Sequence, residues 1–137
     1  MADTGYNWDA SWTAIDAAIV LTQGGTTTDA SATIDLDGKA ACLISIDTDY
    51  SNHAKATAGL GIYITKETGD GSFESIADGA WGFEMAFTQN GTNRRVFFLS
   101  AAQFQKFQLY LSWGNTTASS VATTRTDIKY ATIPVED

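Results

Sequence analysis

The sequence predicts an all-β protein: an antiparallel two-sheet β-sandwich, jelly-roll or immunoglobulin-like, with about eight strands. The main observation is a strict alternation of side chains, in which Trp81, Phe83, Met85 and Phe87 share one face of an extended segment. A period of two residues is typical of half-buried antiparallel strands. The 137 residues fit a single domain, and the lack of a strand-helix-strand rhythm argues against a parallel α/β sheet.

The predicted strands are separated by short polar breaks. Asp37-Gly38 and Gln89 to Thr92 are typical of tight hairpin turns, because Asp, Asn and Gly tolerate positive φ angles. One short helical turn is expected near residues 100–106, where Ser100 provides a cap. The predicted strands are Ile15 to Thr22, Ser31 to Leu36, Ala41 to Asp49, Ala58 to Lys66, Trp81 to Thr88, Asn93 to Leu99, Phe107 to Trp113 and Val121 to Ile133, and Phe73 to Ile76 is a candidate for a further short edge strand.

Residues 1–14 are predicted to form an N-terminal arm, followed by a single sandwich domain over residues 15–137. The arm carries Tyr6, Trp8 and Trp12 among small polar residues. These aromatic side chains either cap the open end of the sandwich or dock on a neighbouring subunit, since Trp and Tyr are favoured at interfaces. The sequence leaves both alternatives open.

Two adjacent basic residues, Arg94 and Arg95, lie in a predicted strand. Neighbouring residues of a strand point to opposite faces, so the two side chains are expected to separate. One can pair with an acidic neighbour while the other forms a salt bridge across an interface. The alternative is a solvated strand without a partner protein.

The net charge of −8 comes from 16 acidic and 8 basic residues. Such a surface repels phosphate backbones, so nucleic acid is not an expected partner. The longest apolar stretch, Ala17 to Leu21, is too short to cross a bilayer, and no signal peptide is recognised, so no membrane association is expected. A single cysteine allows no intrachain disulfide, which fits folding in a reducing cytosol.

Catalytic chemistry has few candidates in this sequence. Cys42 lies on the inward face of a predicted strand, so it is not expected to act as a nucleophile with His53, the one histidine. Glu67, Asp70 and Glu74 fall in or beside a turn, where acidic residues are ordinary, and do not indicate a glycosidase pair. We therefore expect no enzyme activity, no catalytic residues and no cofactor.

A calcium loop is suggested only in part by Asp47, Asp49, Ser51 and Asn52. An EF-hand loop requires glycine at its sixth position and glutamate at its twelfth, where this chain has Asn52 and Ala58. We therefore expect a polar loop and no metal site. A weak calcium site of the extracellular type at this loop, with Asp35 or Asp37 as a further ligand, remains the alternative.

Sugar binding is the main alternative among binding functions. Tyr63 and Tyr110 lie opposite the apolar faces of their strands, and exposed aromatic rings on a β-sandwich can stack on sugar rings. Gly59 and Gly61 share the outward face with Tyr63. Glycines there predict a close backbone approach or a flat surface for packing.

A run of strand motifs occurs in a fixed order between Ser31 and Tyr130. The motifs are Ala41 to Asn52, Leu60 to Ile64, Gly71 to Phe73, Ala80 to Phe83, Arg94 to Leu99 and Phe104 to Leu109. In this order they resemble small virion proteins encoded among the structural genes of tailed bacteriophages. In those proteins a similar sandwich carries a Ser-Ile-Asp-x-Asp strand and a turn, short helix and Phe-x-Leu element.

This resemblance implies a structural protein of the bacteriophage virion, in the first place a capsid decoration protein that binds the outer capsid surface. It implies the major capsid protein or other virion proteins as partners, a homo-oligomer such as a trimer, and a location on the virion after synthesis in the host bacterial cytoplasm. Tail, neck and fibre components share the same sandwich and remain alternatives. No binding residues carry over, because the matching positions are core strands.

Overall fold

The computed structural model describes residues 12–19, 28–30, 33–50, 59–113 and 123–135, and this part of the chain is almost entirely β. It contains nine strands and one short 3-10 helix. The strands are β1 Thr13–Ile19, β2 Thr28–Ala30, β3 Ile34–Asp35, β4 Lys39–Tyr50, β5 Leu60–Lys66, β6 Trp81–Glu84, β7 Thr92–Ser100, β8 Lys106–Trp113 and β9 Thr123–Pro134.

The strands form two antiparallel sheets. Sheet I has the order β1-β9-β4-β7, and sheet II has the order β2-β8-β5-β6, with β3 also paired to β8. Most consecutive strands lie in different sheets, as in a jelly roll. The predicted two-sheet sandwich is therefore confirmed, and the jelly roll is the correct one of its two predicted forms.

The alternating pattern of the sequence defines the faces of both sheets. Each inner face carries apolar side chains that are buried between the sheets, and burying one such side chain contributes roughly 1.5–3 kcal/mol. The largest contributors are Ile44 and Ile46 of β4, Leu60, Ile62 and Ile64 of β5, and Phe107, Leu109 and Leu111 of β8. The outer faces are then left for contacts with solvent or other molecules.

Two turns that the sequence predicts as hairpins connect strands of different sheets, and we call such turns corners. The Asp37-Gly38 turn is closed by a hydrogen bond from the Lys39 amide to the Leu36 carbonyl at 2.9 Å, and Gly38 has a φ of 75°. However, β3 pairs with β8, whereas β4 pairs with β7 and β9. The turn at residues 89–92 likewise leads from β6 of sheet II to β7 of sheet I. A tight turn reverses the chain without fixing which strand the next one pairs with.

The helical element also differs in position from the prediction, since it spans Ile76–Asp78. Ser75 caps it: its hydroxyl accepts a hydrogen bond from the Asp78 amide at 3.2 Å, and the Asp78 carboxylate accepts one from the Ser75 amide at 3.0 Å. Near the predicted position, the Phe104 amide donates to the Ser100 carbonyl at 2.8 Å. This closes a single turn, after which the chain enters β8.

Three strand predictions need correction. The predicted central strand Trp81 to Thr88 is the short edge strand β6, because the chain leaves sheet II to reach the corner before β7. Residues Phe73 to Ile76 make only an isolated bridge from Phe73 to Glu67. Strand β1 begins at Thr13, so the last two residues of the predicted arm pair with β9 and belong to the sandwich.

Tyr50, at the end of β4, connects the two sheets through its hydroxyl group. The hydroxyl donates a hydrogen bond to the Ala86 carbonyl at 2.9 Å and accepts one from the Leu60 amide of β5 at 3.0 Å. Burial is the main cause that raises the pKa of Tyr50, so the hydroxyl keeps its proton at neutral pH. The bond from the Leu60 amide is buried, so water cannot take the place of the hydroxyl there.

We predict that Tyr50→Phe lowers the free energy of unfolding by about 2 kcal/mol, because it leaves a buried amide and a carbonyl without this partner. Urea denaturation followed by circular dichroism measures the change. Tyr110→Phe is the matched control, since that ring is half-buried on an outer face, and it should change stability by less than about 0.5 kcal/mol. Equal losses in the two variants would contradict the role of the Tyr50 hydroxyl.

Candidate functional site

The structure describes some of the residues considered for catalysis or metal binding. Cys42 is fully buried, and burial raises the pKa of its thiol to about 12, so the thiol is protonated at neutral pH. Asp47 and Asp49 lie in β4, whereas Ser51, Asn52 and His53 lie outside the described residues. In the part of the chain that the structure describes, no group of three or more His, Cys, Asp or Glu residues could hold a metal ion.

The three carboxylates near the turn after β5 each serve local structure. Glu67 forms a salt bridge with Lys106 at 3.3 Å, and Glu74 accepts a hydrogen bond from the Lys66 amide at 2.8 Å. The Thr68 hydroxyl donates to Asp70, and this bond is the first of several that lower the pKa of Asp70. These carboxylates therefore stabilise the turn and the neighbouring ends of β5 and β8 in sheet II.

The outer face of sheet I exposes apolar side chains at its edge. Strand β7 is one of the two edge strands of sheet I in the described part of the chain, and Val96 and Phe98 on its outer face are 55% and 47% exposed. Phe98 is the register partner of the half-buried Leu43 on β4. Edge strands usually carry devices that prevent further pairing, and exposed apolar residues on an edge strand depart from that pattern.

Two of the predicted interface residues lie on this same outer face. Arg94 is opposite Asp47 in the register of β7 and β4, and its Nε lies 3.7 Å from an Asp47 carboxylate oxygen. Trp12, which is 39% exposed, lines a depression of about 210 Å³ together with Asp47, Ser45, Asp127 and Lys129. We call Trp12, Leu43, Arg94, Val96 and Phe98 the docking face.

Arg95 points to the other side of β7, as the alternation predicts. Its guanidinium carbon lies 4.1 Å from the centre of the Phe83 ring on β6, a cation–π contact between the edges of the two sheets. Arg95 therefore contacts the opposing sheet of its own chain. Its role at an interface stays a prediction. Tyr6 and Trp8 lie outside the described residues, so their predicted role also stays a prediction.

An aromatic cluster joins the two sheets beside Arg95, and the sequence reasoning did not identify it. The Phe83 and Phe97 ring centres are 5.0 Å apart, and Trp81 lies 6.1 Å from Phe104. Trp81 is nevertheless about half exposed. The alternation placed Trp81 and Phe83 on one face, but nothing in the sequence shows that β6 and β7 are opposing edges.

The outer face of sheet II carries the two tyrosines considered for sugar binding. Tyr63 and Tyr110 are direct register partners on β5 and β8, and Gly82 of β6 is opposite Tyr63 on its other side. A Cβ atom built on Gly82 would lie 2.4 Å from Cδ1 of Tyr63, and one on Gly61 would lie 3.3 Å from its Cε2. The Tyr63 ring therefore lies over the two glycines.

Shallow depressions lie beside each of these tyrosines. Each has a volume of about 400 Å³. The Tyr63 depression is lined by Gly59, Gly61, Gly82, Phe83, Glu84 and Ser112 as well as the tyrosine. The Tyr110 depression includes Gln108 and the Phe73–Ala77 segment. We call the surface around both tyrosines the tyrosine face.

Comparison with known proteins gives structural neighbours only. No protein-family model and no curated protein matches the sequence. Solved structures with similar folds include a carbohydrate-binding module specific for non-crystalline cellulose, CBM28, with 11% identity, a TM-score of 0.49 and coverage of 96% of this chain and 87% of that chain. The SPBc2 prophage-derived protein YomS has 12% identity, a TM-score of 0.49 and coverage of 97% and 98%.

A third similar structure is the Tobacco streak virus coat protein dimer, with 13% identity, a TM-score of 0.43 and coverage of 100% of this chain and 91% of that chain. At these values the likeness says nothing about what the chain binds. In addition, no helix in the described ranges is long and apolar enough to span a membrane.

Proposed function

We propose that this protein is a structural subunit of a bacteriophage virion, a capsid decoration protein that binds the outer capsid surface through its docking face. The observation that carries the proposal is the exposure of Val96 and Phe98 on edge strand β7. Trp12 and Arg94 lie on the same outer face, so apolar, aromatic and basic side chains are presented together. This is the composition that protein interfaces favour.

The rest of the molecule supports a role in assembly. The described candidates for catalysis are buried or engaged in local contacts, as Cys42 and Glu67 illustrate. Jelly rolls occur in both viral capsid and lectin domains, so the fold is compatible with this function without deciding it. The bacteriophage assignment itself rests on the resemblance of the strand motifs. A trimeric state belongs to the same proposal.

The docking face is tested with empty shells assembled from the major capsid protein of the same genome. We expect the wild-type protein to sediment with these shells, and the double variant Val96→Thr, Phe98→Thr to bind about thirtyfold more weakly. That factor corresponds to a loss of about 2 kcal/mol, typical of removing anchor side chains. Threonine preserves strand propensity, so the variant should stay folded.

The matched control is Val135→Thr, because Val135 is 57% exposed but lies beyond β9. It should bind shells as the wild type does. Deletion of residues 1–11 keeps β1 intact and tests whether Tyr6 and Trp8 add affinity. Wild-type protein that does not bind the shells, or a double variant that binds them fully, would refute the decoration role through this face.

The tail, neck or fibre remains the alternative location within the virion. Co-sedimentation with purified tails in place of shells distinguishes it, and negative-stain images of particles with and without the protein show where density is added. The sugar-binding alternative concerns sheet II and does not compete with the docking face.

A further inference from the structure

We propose that the tyrosine face is a carbohydrate-binding site in which Tyr63 and Tyr110 stack on the flat faces of neutral pyranose rings. The proposal is independent of the docking face, because it uses the outer surface of the other sheet. It follows from the arrangement of ring, glycines and polar groups on the outer sides of β5, β6 and β8.

The first argument is the orientation of Tyr63. Its ring lies over Gly82 and Gly61, and a side chain at Gly82 would collide with it, since Cδ1 is 2.4 Å from the Cβ position. A tyrosine that lies down on a sheet keeps one ring face against the backbone and turns the other outward. Such a ring has few conformations to lose when a ligand stacks on it, because the glycines hold it in place.

The second argument is the pairing of two tyrosines with polar groups around them. Tyr63 and Tyr110 are direct cross-strand partners, so their Cβ atoms are separated by about 5 Å. Glu84 and Ser112 line the Tyr63 depression, and Gln108 lines the Tyr110 depression. A carboxylate, a hydroxyl and an amide together accept and donate hydrogen bonds, which matches the mixed character of sugar hydroxyls.

The third argument concerns which flat ligand fits. Nucleobases also stack on aromatic rings, but they bring a phosphate backbone. The chain has a net charge of −8, and Glu84 and Glu74 line the two depressions, so phosphates are repelled. A neutral pyranose with equatorial hydroxyls presents C–H groups on its faces and hydroxyls at its rim. Two adjacent depressions of about 400 Å³ favour an oligosaccharide over a single sugar.

The experiment measures binding of cellohexaose, whose β-linked glucose units carry only equatorial hydroxyls, by isothermal titration calorimetry. A microarray of neutral glycans with other linkages is probed in parallel. The decisive variants are Tyr63→Leu, which keeps the apolar bulk without the flat ring, and Tyr63→Phe, which keeps the ring. We expect Tyr63→Leu to weaken binding about tenfold and Tyr63→Phe to retain it.

Phe98→Leu is the matched control, because Phe98 is an exposed aromatic residue on the outer face of the other sheet. It should bind as the wild type does. Binding of cellohexaose or of another neutral glycan with the expected difference between Tyr63→Leu and Tyr63→Phe supports the site. No glycan bound by the folded protein, equal binding by both Tyr63 variants, or loss of binding in Phe98→Leu would overturn it.

Binding of a thymidine 20-mer with the same dependence on Tyr63 would also overturn the proposal, in favour of single-stranded nucleic acid.

The docking-face proposal and the sugar-binding proposal can fail separately. Loss of shell binding in the docking-face variants leaves the sugar titration unaffected, and an absence of glycan binding leaves shell binding unaffected.

Discussion

Phe107→Ala is expected to lower the free energy of unfolding by about 4 kcal/mol. Phe107 is the largest of the fully buried side chains, and it lies on β8 opposite Ile34 of β3 and Lys66 of β5. Its ring packs edge-on against Phe104, with 6.3 Å between the ring centres. Truncation removes the transfer free energy of the ring and its packing contacts. A cavity remains, because neighbours on several strands cannot all move in to fill it.

Chemical denaturation of the wild type and the variant measures this difference, provided that the slopes of the transitions agree. Phe98→Ala is the matched control, because it removes the same ring from a position that is 47% exposed. We expect that variant to lose less than about 1 kcal/mol. If the two alanine variants were equally stable, Phe107 would not occupy the core of the sandwich.

Gly59→Ala is expected to destabilise the protein by about 3 kcal/mol or more. A Cβ atom at Gly59 would lie 1.8 Å from the Met85 carbonyl oxygen, a backbone atom that cannot rotate away. The Met85 amide donates to the Leu60 carbonyl at 2.7 Å, so moving this segment also strains a bond between it and β5. The Gly59 amide in turn donates to Glu84 at 3.2 Å.

Gly69→Ala provides the control for this substitution. A Cβ atom at Gly69 meets nothing within 4 Å, so the change should alter stability by no more than about 0.5 kcal/mol. Thermal melting of both variants by circular dichroism is sufficient for the comparison. If Gly59→Ala and Gly69→Ala melted at the same temperature, the Met85 carbonyl would not lie against Gly59.

The sequence predicted the faces of the strands better than their order. Alternation assigned Ile44 and Ile46 to the core and Tyr63 and Tyr110 to the opposite surface, because the direction of a side chain depends only on the local period. Strand order depends on which distant segments bury each other. The Asp37-Gly38 turn illustrates the limit. A two-residue type I′ hairpin needs positive φ at both positions, whereas only Gly38 has it, at 75°, and the chain crosses to the other sheet.

For the candidate surfaces too, the sequence predicted the local features but not the contacts between distant strands. The separation of Arg94 and Arg95 to opposite faces followed from their adjacency, and the structure confirms it. The stacking of Arg95 on Phe83 did not follow, because it depends on β6 and β7 being facing edges of different sheets. The sequence indicated Gly61 as a position for close packing on the outer face, but it did not indicate Gly82, whose register with Tyr63 is a property of the folded sheet.

The two corners at residues 37–38 and 89–92 also bear on the kinetics of folding. Neither turn can nucleate a local ladder, because the strands on its two sides end up in different layers. Ile44 must instead meet Phe97 and Tyr130, which are far away along the chain. The entropy of closing such loops is lost before the pairings form, so refolding should take milliseconds to seconds rather than microseconds.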